Sequence, residues 1–404
     1  MSTSLITRYT NAVLEFDFKD NSAKTSLPTP PAQEEIDAFV ERALKLFEKS
    51  GSDFLVLFGL SSGTHALALD AALPNCARLI VCETNTAQAR AFLDANLSWQ
   101  DANSRACLIG DTSLWAQLYL LAQTGASLKN AHTVLNPELS DDDKNQYQAL
   151  QRLFLSARQH QAINSSYLSH VAVQAPDMSV GVILSPDEPN LDEFFAQFPD
   201  WVKEVVVIWD AEEVPTDCPY CGIPIKHFAH PLTDFADQRN RMLDECEGEW
   251  VLYLDGDELL SEDTWSLFTA LLLIKKLEAC YFPRMTFYPD ESSTKVGFGL
   301  WPDLQLRLFR NKEGVRFERP IHEKLTGIKG RVALVLDAPI LHYSRLRKSP
   351  EQIASKLKRF DQTSGDLIQH ILNDEYPSLP RNEFNEVSFI EGAIQVLLLD
   401  ENPA

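Results

Sequence analysis

The stretch Trp250-Val251-Leu252-Tyr253-Leu254-Asp255-Gly256-Asp257-Glu258 decides how the C-terminal half of the chain is read. An apolar run of this length, ending in acid, is the signature of a strand buried in a parallel sheet. Ligands of open α/β sheets bind beyond the carboxyl ends of the strands. The run therefore delivers Asp255 and Asp257 to the ligand-binding edge. Side chains two positions apart on an extended backbone share one side, and Gly256 lets the chain turn while leaving room for a ligand. Two carboxylates on one side suit a hard divalent cation, Mn2+ or Mg2+, which takes oxygen ligands and shares them with phosphates. A ligand-free acidic turn is the competing reading of these residues taken alone.

Working outward, strands and helices alternate. A strand at Ser179–Leu184 leads into a helix over Asn190–Phe198, and a strand at Glu204–Trp209 ends at Asp210. A helix from Asp234 to Glu245 then precedes Gly248. An earlier series begins with a helix over Glu34–Lys49, whose apolar residues Ile36, Phe39, Ala43 and Phe47 recur at helical spacing. It continues through a strand at Phe54–Phe58, the turn Gly59-Leu60-Ser61-Ser62-Gly63 and a helix from Thr64 to Ala72. Strands at Arg78–Cys82 and Ala106–Gly110 end at Glu83 and Asp111. Residues 140–170 read as a polar helical link, and residues 1–45, with Pro28, Pro30 and Pro31, as an extended lead-in. Such alternation predicts parallel sheets, and its restart near Met178 predicts two α/β domains. After Tyr343 the spacing of Ile353, Leu357 and Phe360 behind Pro350 predicts a helical tail.

The 404 residues, 45% of them hydrophobic, suffice for two or three domains with sizeable cores. A net charge of -22 argues against general nucleic-acid binding, which needs surplus Lys and Arg. No apolar stretch has the length of a membrane span, and the first residues lack the basic end and long apolar run of a secretory leader. Seven scattered cysteines, an odd number, fit reduced thiols. A cytoplasmic location is the resulting expectation.

The chain resembles the family 2 glycosyltransferases of the GT-A fold, in their bacterial branch. The stretches that match are Asp234-Phe235-Ala236-Asp237-Gln238-Arg239-Asn240, Gly248 to Glu258, Pro302 to Arg310, Pro320-Ile321-His322-Glu323 and His342-Tyr343. The resemblance spans roughly residues 178–345. It implies a GT-A domain (177–345), which the element pattern sets behind an N-terminal extension (1–45) and a Rossmann-like domain (46–170) and ahead of a helical C-terminal tail (346–404). By the same resemblance, Asp210 would meet the nucleotide base or ribose, Arg239 and Asn240 would face the nucleotide-sugar, and Asp255 and Asp257 would meet ribose, metal and diphosphate. His322 would hold the metal or diphosphate, and either Glu323 or Asp303 would be the base. The implied partners are a nucleotide-sugar donor and a glycan, lipid-linked or protein acceptor, with Mn2+ or Mg2+ as cofactor and inversion at the transferred carbon. Two departures from the family pattern lie in the nucleotide pocket, at Ala211-Glu212-Glu213-Val214 and at Ser185-Pro186-Asp187-Glu188.

Other signals are weaker. Cys218 and Cys221 with His227 and His230 offer zinc-ligand chemistry at a spacing too short for a usual finger. The Gly59–Gly63 turn with Glu83 has the layout of a dinucleotide or S-adenosylmethionine pocket. It resembles class I methyltransferases and the Rossmann-like domain of flagellin-glycosylation accessory proteins. An S-adenosylmethionine-dependent methyltransferase and a non-catalytic scaffold are accordingly the alternative functions. His65 reads as a surface helix residue, His342-Tyr343 as a packed aromatic edge or a substrate contact, and Trp301 as either a sugar-stacking ring or core.

Overall fold

The computed structural model describes residues 3–16, 27–101, 103–163, 173–218, 220, 222–319, 324–349, 351–353, 376–384 and 393–400. They fall into two compact units, Met1–Gln159 with Lys295–Pro302 and Tyr376–Val387, and His160–Thr294 with Asp303–Glu375 and Ser388–Ala404. Among the described residues no helix is long and apolar enough to cross a membrane.

The first unit is built on a parallel sheet in the order Ala106–Gly110, Arg78–Glu83, Phe54–Phe58, Ala131–Leu135. The last of these strands escapes a reading by apolar runs. It is an edge strand, and four of its five residues are only half-buried. Helices Thr86–Ala95, Leu114–Gln123 and Asp141–Ser156 each begin at a side chain, Asn85, Ser113 or Ser140, that accepts a backbone N–H of the first turn. The Gln33–Ser50 helix buries Ile36, Phe39, Ala43 and Phe47, as their spacing predicts.

The extended lead-in needs correction, because Thr3–Glu15 is a helix. Leu5, Ile6, Tyr9 and Val13 are its buried face, a helical spacing that the polar residues between them obscure. The helix covers the edge strand Ala106–Gly110. The Thr10 hydroxyl donates to the Leu108 carbonyl at 2.8 Å, and the Tyr9 hydroxyl donates to Asp111 at 2.5 Å. An uncovered edge would expose a row of unpaired backbone groups.

The second unit holds a mixed sheet. Met178–Leu184 lies between two parallel neighbours, Glu204–Trp209 and Trp250–Asp255, and Ile225–Ala229 extends the parallel part. Asp303–Arg310 joins antiparallel to Trp250–Asp255, followed by Leu277–Thr286 and Arg331–Val335. The Phe235–Glu245 helix packs on the parallel part through Ala236, Met242 and Leu243, and the Asp234 carboxylate caps its first turn.

A second correction concerns the C-terminus. Ala393–Leu399, read as part of a helical tail, is a strand antiparallel to Arg331–Val335. Six of its seven residues are buried, and a run of this length that is apolar save for Gln395 suits a covered strand better than a one-sided helix. Most of the helix read behind Pro350 lies outside the described residues.

Two stability measurements test this packing. A Cβ at Gly248 would run into the backbone nitrogen and hydroxyl of Ser179, the very hydroxyl that accepts the Gly248 N–H at 2.7 Å. Gly248→Ala should cost about 1–3 kcal/mol in urea unfolding. Asp337 accepts the Gln395 N–H at 2.9 Å, and burial lifts its carboxyl from 3.8 to about 6. A carboxyl raised in the folded state favours folding below its unfolded value and opposes it as pH climbs through the folded one. Asp337→Asn should match wild type at pH 4 and exceed its stability above pH 7 by about 1–3 kcal/mol.

Candidate functional site

Three parallel strands end at one edge of the second unit's sheet. Leu184 is paired with Trp209, and Ile183 with Asp255. The residues just beyond, Glu188, Asp210 and Asp257, share that edge with Asp255. A tight turn makes this possible, since a Cβ at Gly256 would meet Leu184 and Glu188 side chains.

Behind Asp255 runs a line of side chains alternating in charge. Arg307 binds Asp255 at 2.8 Å and Glu258 at 2.6 Å. Arg284 reaches the same Glu258 at 3.2 Å and holds Asp303 at 2.6 Å and 2.8 Å. At the other end Arg239 lies 3.7 Å from Asp255. Glu258 is fully buried and also accepts the backbone N–H of Asp255 at 3.1 Å. Arg239 and Arg307 each stand 4.2 Å from the centre of the Tyr253 ring, a cation–π arrangement that is strongest where water is excluded. The Tyr253 hydroxyl donates to Asp255 at 3.1 Å. Burial pushes the Arg307 guanidinium down, but Glu258, Tyr253 and Asp255 outweigh it and hold the group well above its ordinary value. Burial is also the main cause that lowers Arg239 and lifts Tyr253 to about 12.

Asp257 has a different neighbourhood. It is 2% exposed, and its carboxylate accepts from the Lys348 ammonium at 2.7 Å. Glu188 lies 2.6 Å from the same ammonium. Asp257 Oδ1 faces His342 Nε2 at 3.5 Å, and the other ring nitrogen of His342 meets the Thr286 hydroxyl at 2.9 Å. The backbone carbonyl of Asp257 accepts from Tyr343 N at 2.9 Å. Burial pushes Lys348 down, but Asp257 and Glu188 more than offset it and raise the ammonium above its ordinary value.

The remaining residues read from the sequence are placed as follows. The Asp210 carboxylate accepts from Leu232 N at 2.7 Å and so orders the loop beside the strand ends. The Asn240 amide donates to the Phe317 carbonyl at 2.9 Å and accepts its N–H at 2.8 Å. It clamps the helix to the Arg316–Glu318 strand. Asp303 has both oxygens engaged, one by Arg284 and one by Gln305 at 2.6 Å. His322 and Glu323 lie outside the described residues.

Among the described residues no group of three or more His, Cys, Asp or Glu side chains could hold a metal ion. The chemistry at Asp257 nevertheless suits one. Two carboxylates already share one cation there, and magnesium is commonly held by one or two carboxylates with phosphate completing its shell. The residues present that would hold it are Asp257 and Glu188.

The sequence reading gave no individual role to Glu258, Arg284, Arg307, Glu188 or Lys348, although Glu258, Arg307 and Glu188 lie in stretches it quoted. Arg307 had a visible signal, an arginine inside the apolar strand run Leu304 to Phe309. Lys348 had none, because it meets Asp257 across 91 positions.

The weaker signals resolve differently. Cys218 donates to the Pro215 carbonyl at 3.0 Å, His227 accepts from Trp209 Nε1 at 3.2 Å, and His230 faces Asp237 at 3.3 Å; Cys221 lies outside the described residues. Trp301 belongs to the first unit, 1% exposed, with its ring against Tyr9, Tyr119 and Phe384. It is core. His65 is buried rather than on the surface, and binds Glu138 at 2.7 Å. Glu138 also accepts from the hydroxyl and N–H of Ser62 at 2.8 Å and 3.3 Å. Glu83 accepts from Leu60 N, Asn85 N and the Tyr147 hydroxyl. Leu139 and Phe92 sit where Cβ atoms of Gly59 and Gly63 would be. The glycines of the Gly59–Gly63 turn thus pack against side chains of their own unit, and Glu83 is hydrogen-bonded by backbone and hydroxyl groups of that unit.

No protein-family model matches the chain. A TPR repeat-containing protein of Synechococcus elongatus is 29% identical over 148 residues, 36% of this chain and 34% of its own length. The chain thus spans about a third of that relative. Structures of S. aureus TarS 1-349 match at 13% identity and TM-score 0.29, and, in complex with UDP-GlcNAc, at 14% and 0.28. They cover 49% of this chain and 67% and 68% of theirs. Likeness at such TM-scores does not define a shared fold.

The buried line of charge yields a prediction. Glu258→Gln leaves two guanidiniums facing a neutral amide and should cost about 3–5 kcal/mol in denaturant unfolding.

Proposed function

We propose that the second unit transfers a glycosyl group from a nucleotide-sugar to an acceptor hydroxyl of a glycan, a lipid-linked carrier or a protein. One observation supports this above the others. Asp210, Asp255, Asp257 and Glu188 stand together at the carboxyl edge of three parallel strands, with buried cations on Asp255 and Asp257. The sequence resemblance places nucleotide, ribose and diphosphate at this edge.

In this reading Asp210 and Asp255 meet the base and ribose, with Arg239 beside Asp255. The leaving group is a nucleoside diphosphate, and departure needs its growing charge neutralised. Asp257 and Glu188 would hold a divalent ion, with His322 added by resemblance, and that ion would supply Lewis-acid stabilisation when bound. Attack by the acceptor oxygen forms the new glycosidic bond as the bond to the diphosphate breaks, which inverts the anomeric carbon. A carboxylate takes the hydroxyl proton. Both oxygens of Asp303 are engaged by Arg284 and Gln305, so the reading gives this role to Glu323, on resemblance alone. Asn240 acts through the clamp on Phe317 and positions Arg239.

Calorimetric titration with UDP, GDP, ADP and CDP in the presence of Mn2+ tests the reading. One nucleotide should bind, and Asp210→Ala and Asp257→Ala should each weaken it by at least about tenfold, equivalent to about 1.4 kcal/mol. A folded wild-type sample that binds none of the four overturns the proposal.

A further inference from the structure

Lys348 is a lysine with an unusual address. Its side chain is 9% exposed, and it bridges two acids that follow two different strands, Glu188 at 2.6 Å and Asp257 at 2.7 Å. Both acids are themselves nearly covered, at 13% and 2% exposure of their side chains. Removing two such charges from water without a cation between them is costly, so the pair requires a counter-ion at all times. The lysine arrives at the end of a short helix, Ser344–Arg347. That helix is pinned by Arg347, which binds Glu193 at 2.6 Å and covers Tyr343 at 4.3 Å. The backbone can thus stay in place while the four-carbon side chain moves. An ammonium is a compact point charge on a flexible stem, able to exchange partners without rebuilding its surroundings.

We propose that Lys348 is an exchangeable counter-ion, which holds Asp257 and Glu188 in the absence of a divalent cation and contacts the diphosphate of the donor once that cation occupies the acids. The inference rests on the transferase reading and adds to it a residue that the sequence resemblance does not assign. Charge arithmetic favours the exchange. With Lys348 in place the trio carries one net negative charge, which repels a diphosphate. With a divalent ion on the two acids that charge is cancelled, and the released ammonium contributes a positive one within side-chain reach. The same lysine therefore opposes the metal and favours the nucleotide.

This opposition gives the test its signature. Mn2+ alone is titrated into wild type, Lys348→Met and Lys348→Arg, and then the nucleoside diphosphates are titrated at saturating Mn2+. Lys348→Met should bind Mn2+ more tightly than wild type and the nucleotide more weakly, each by about tenfold, or about 1.4 kcal/mol. Lys348→Arg should restore most of the nucleotide affinity. A lysine that merely supports the fold would weaken both ligands together, so losses of the same sign overturn the inference and leave the transferase reading standing. Unchanged affinities do the same. Nucleotide binding absent from wild type sinks both proposals. Should Lys348→Met fail to fold, the double variant Lys348→Met with Glu188→Gln removes one of the two charges left without a counter-ion, and its nucleotide affinity should still fall below that of Glu188→Gln alone; equal affinities would overturn the inference.

Discussion

Glu258 is the residue on which the site depends. A fully buried carboxylate survives only if its charge is met and its lone pairs are filled. Here two guanidiniums and the backbone N–H of Asp255 do so. The arrangement is reciprocal. Arg284 and Arg307 come from neighbouring antiparallel strands of the sheet, and both meet the acid between them. One turn of chain after a parallel strand is thereby locked to the antiparallel part of the sheet. The Asp255 carboxylate is held through Arg307 and Tyr253 rather than by its own backbone alone.

The two units use the same device with opposite results. In each, an acid at the end of a parallel strand faces a glycine-bearing turn. In the first unit the acid is Glu83, and its oxygens are consumed by Leu60, Asn85 and Tyr147. The neighbouring anion-binding backbone of Ser62 already carries Glu138. In the second unit the carboxylates of Asp255 and Asp257 meet side chains, a tyrosine hydroxyl and arginines at Asp255 and a lysine at Asp257. The first unit's acid is thus tied to backbone, and the second unit's acids face cations.

What could be read from sequence follows from how local the cause is. Strands such as Phe54–Phe58 and Glu204–Trp209 hold uninterrupted apolar runs, Phe54 to Phe58 and Val205 to Trp209, so their identity is contained in five adjacent residues. The turn at Asp255–Glu258 was equally legible, because strand, glycine and acids are contiguous. The Thr3–Glu15 helix and the Ala393–Leu399 strand were misread, since both owe their state to a partner far along the chain: the edge strand Ala106–Gly110 for one, Arg331–Val335 for the other. The same distance hid the ion pairs. Asp257 announces itself beside a strand end, but Lys348 sits in the basic stretch Arg345-Leu346-Arg347-Lys348, which reads as an ordinary solvated surface. The roles of Asp303 and Asn240 were drawn from position in a motif; their hydrogen bonds to Arg284, Gln305 and Phe317 are visible only in three dimensions.

The clamp between Asn240 and Phe317 also couples two parts of the second unit. Phe317 lies in Arg316–Glu318, which pairs with Lys324–Thr326. This two-stranded ribbon is bolted to the helix bearing Arg239. It acts as a splint: a change that freed the ribbon from Asn240 would unsteady Arg239 without altering a single residue of the acidic edge.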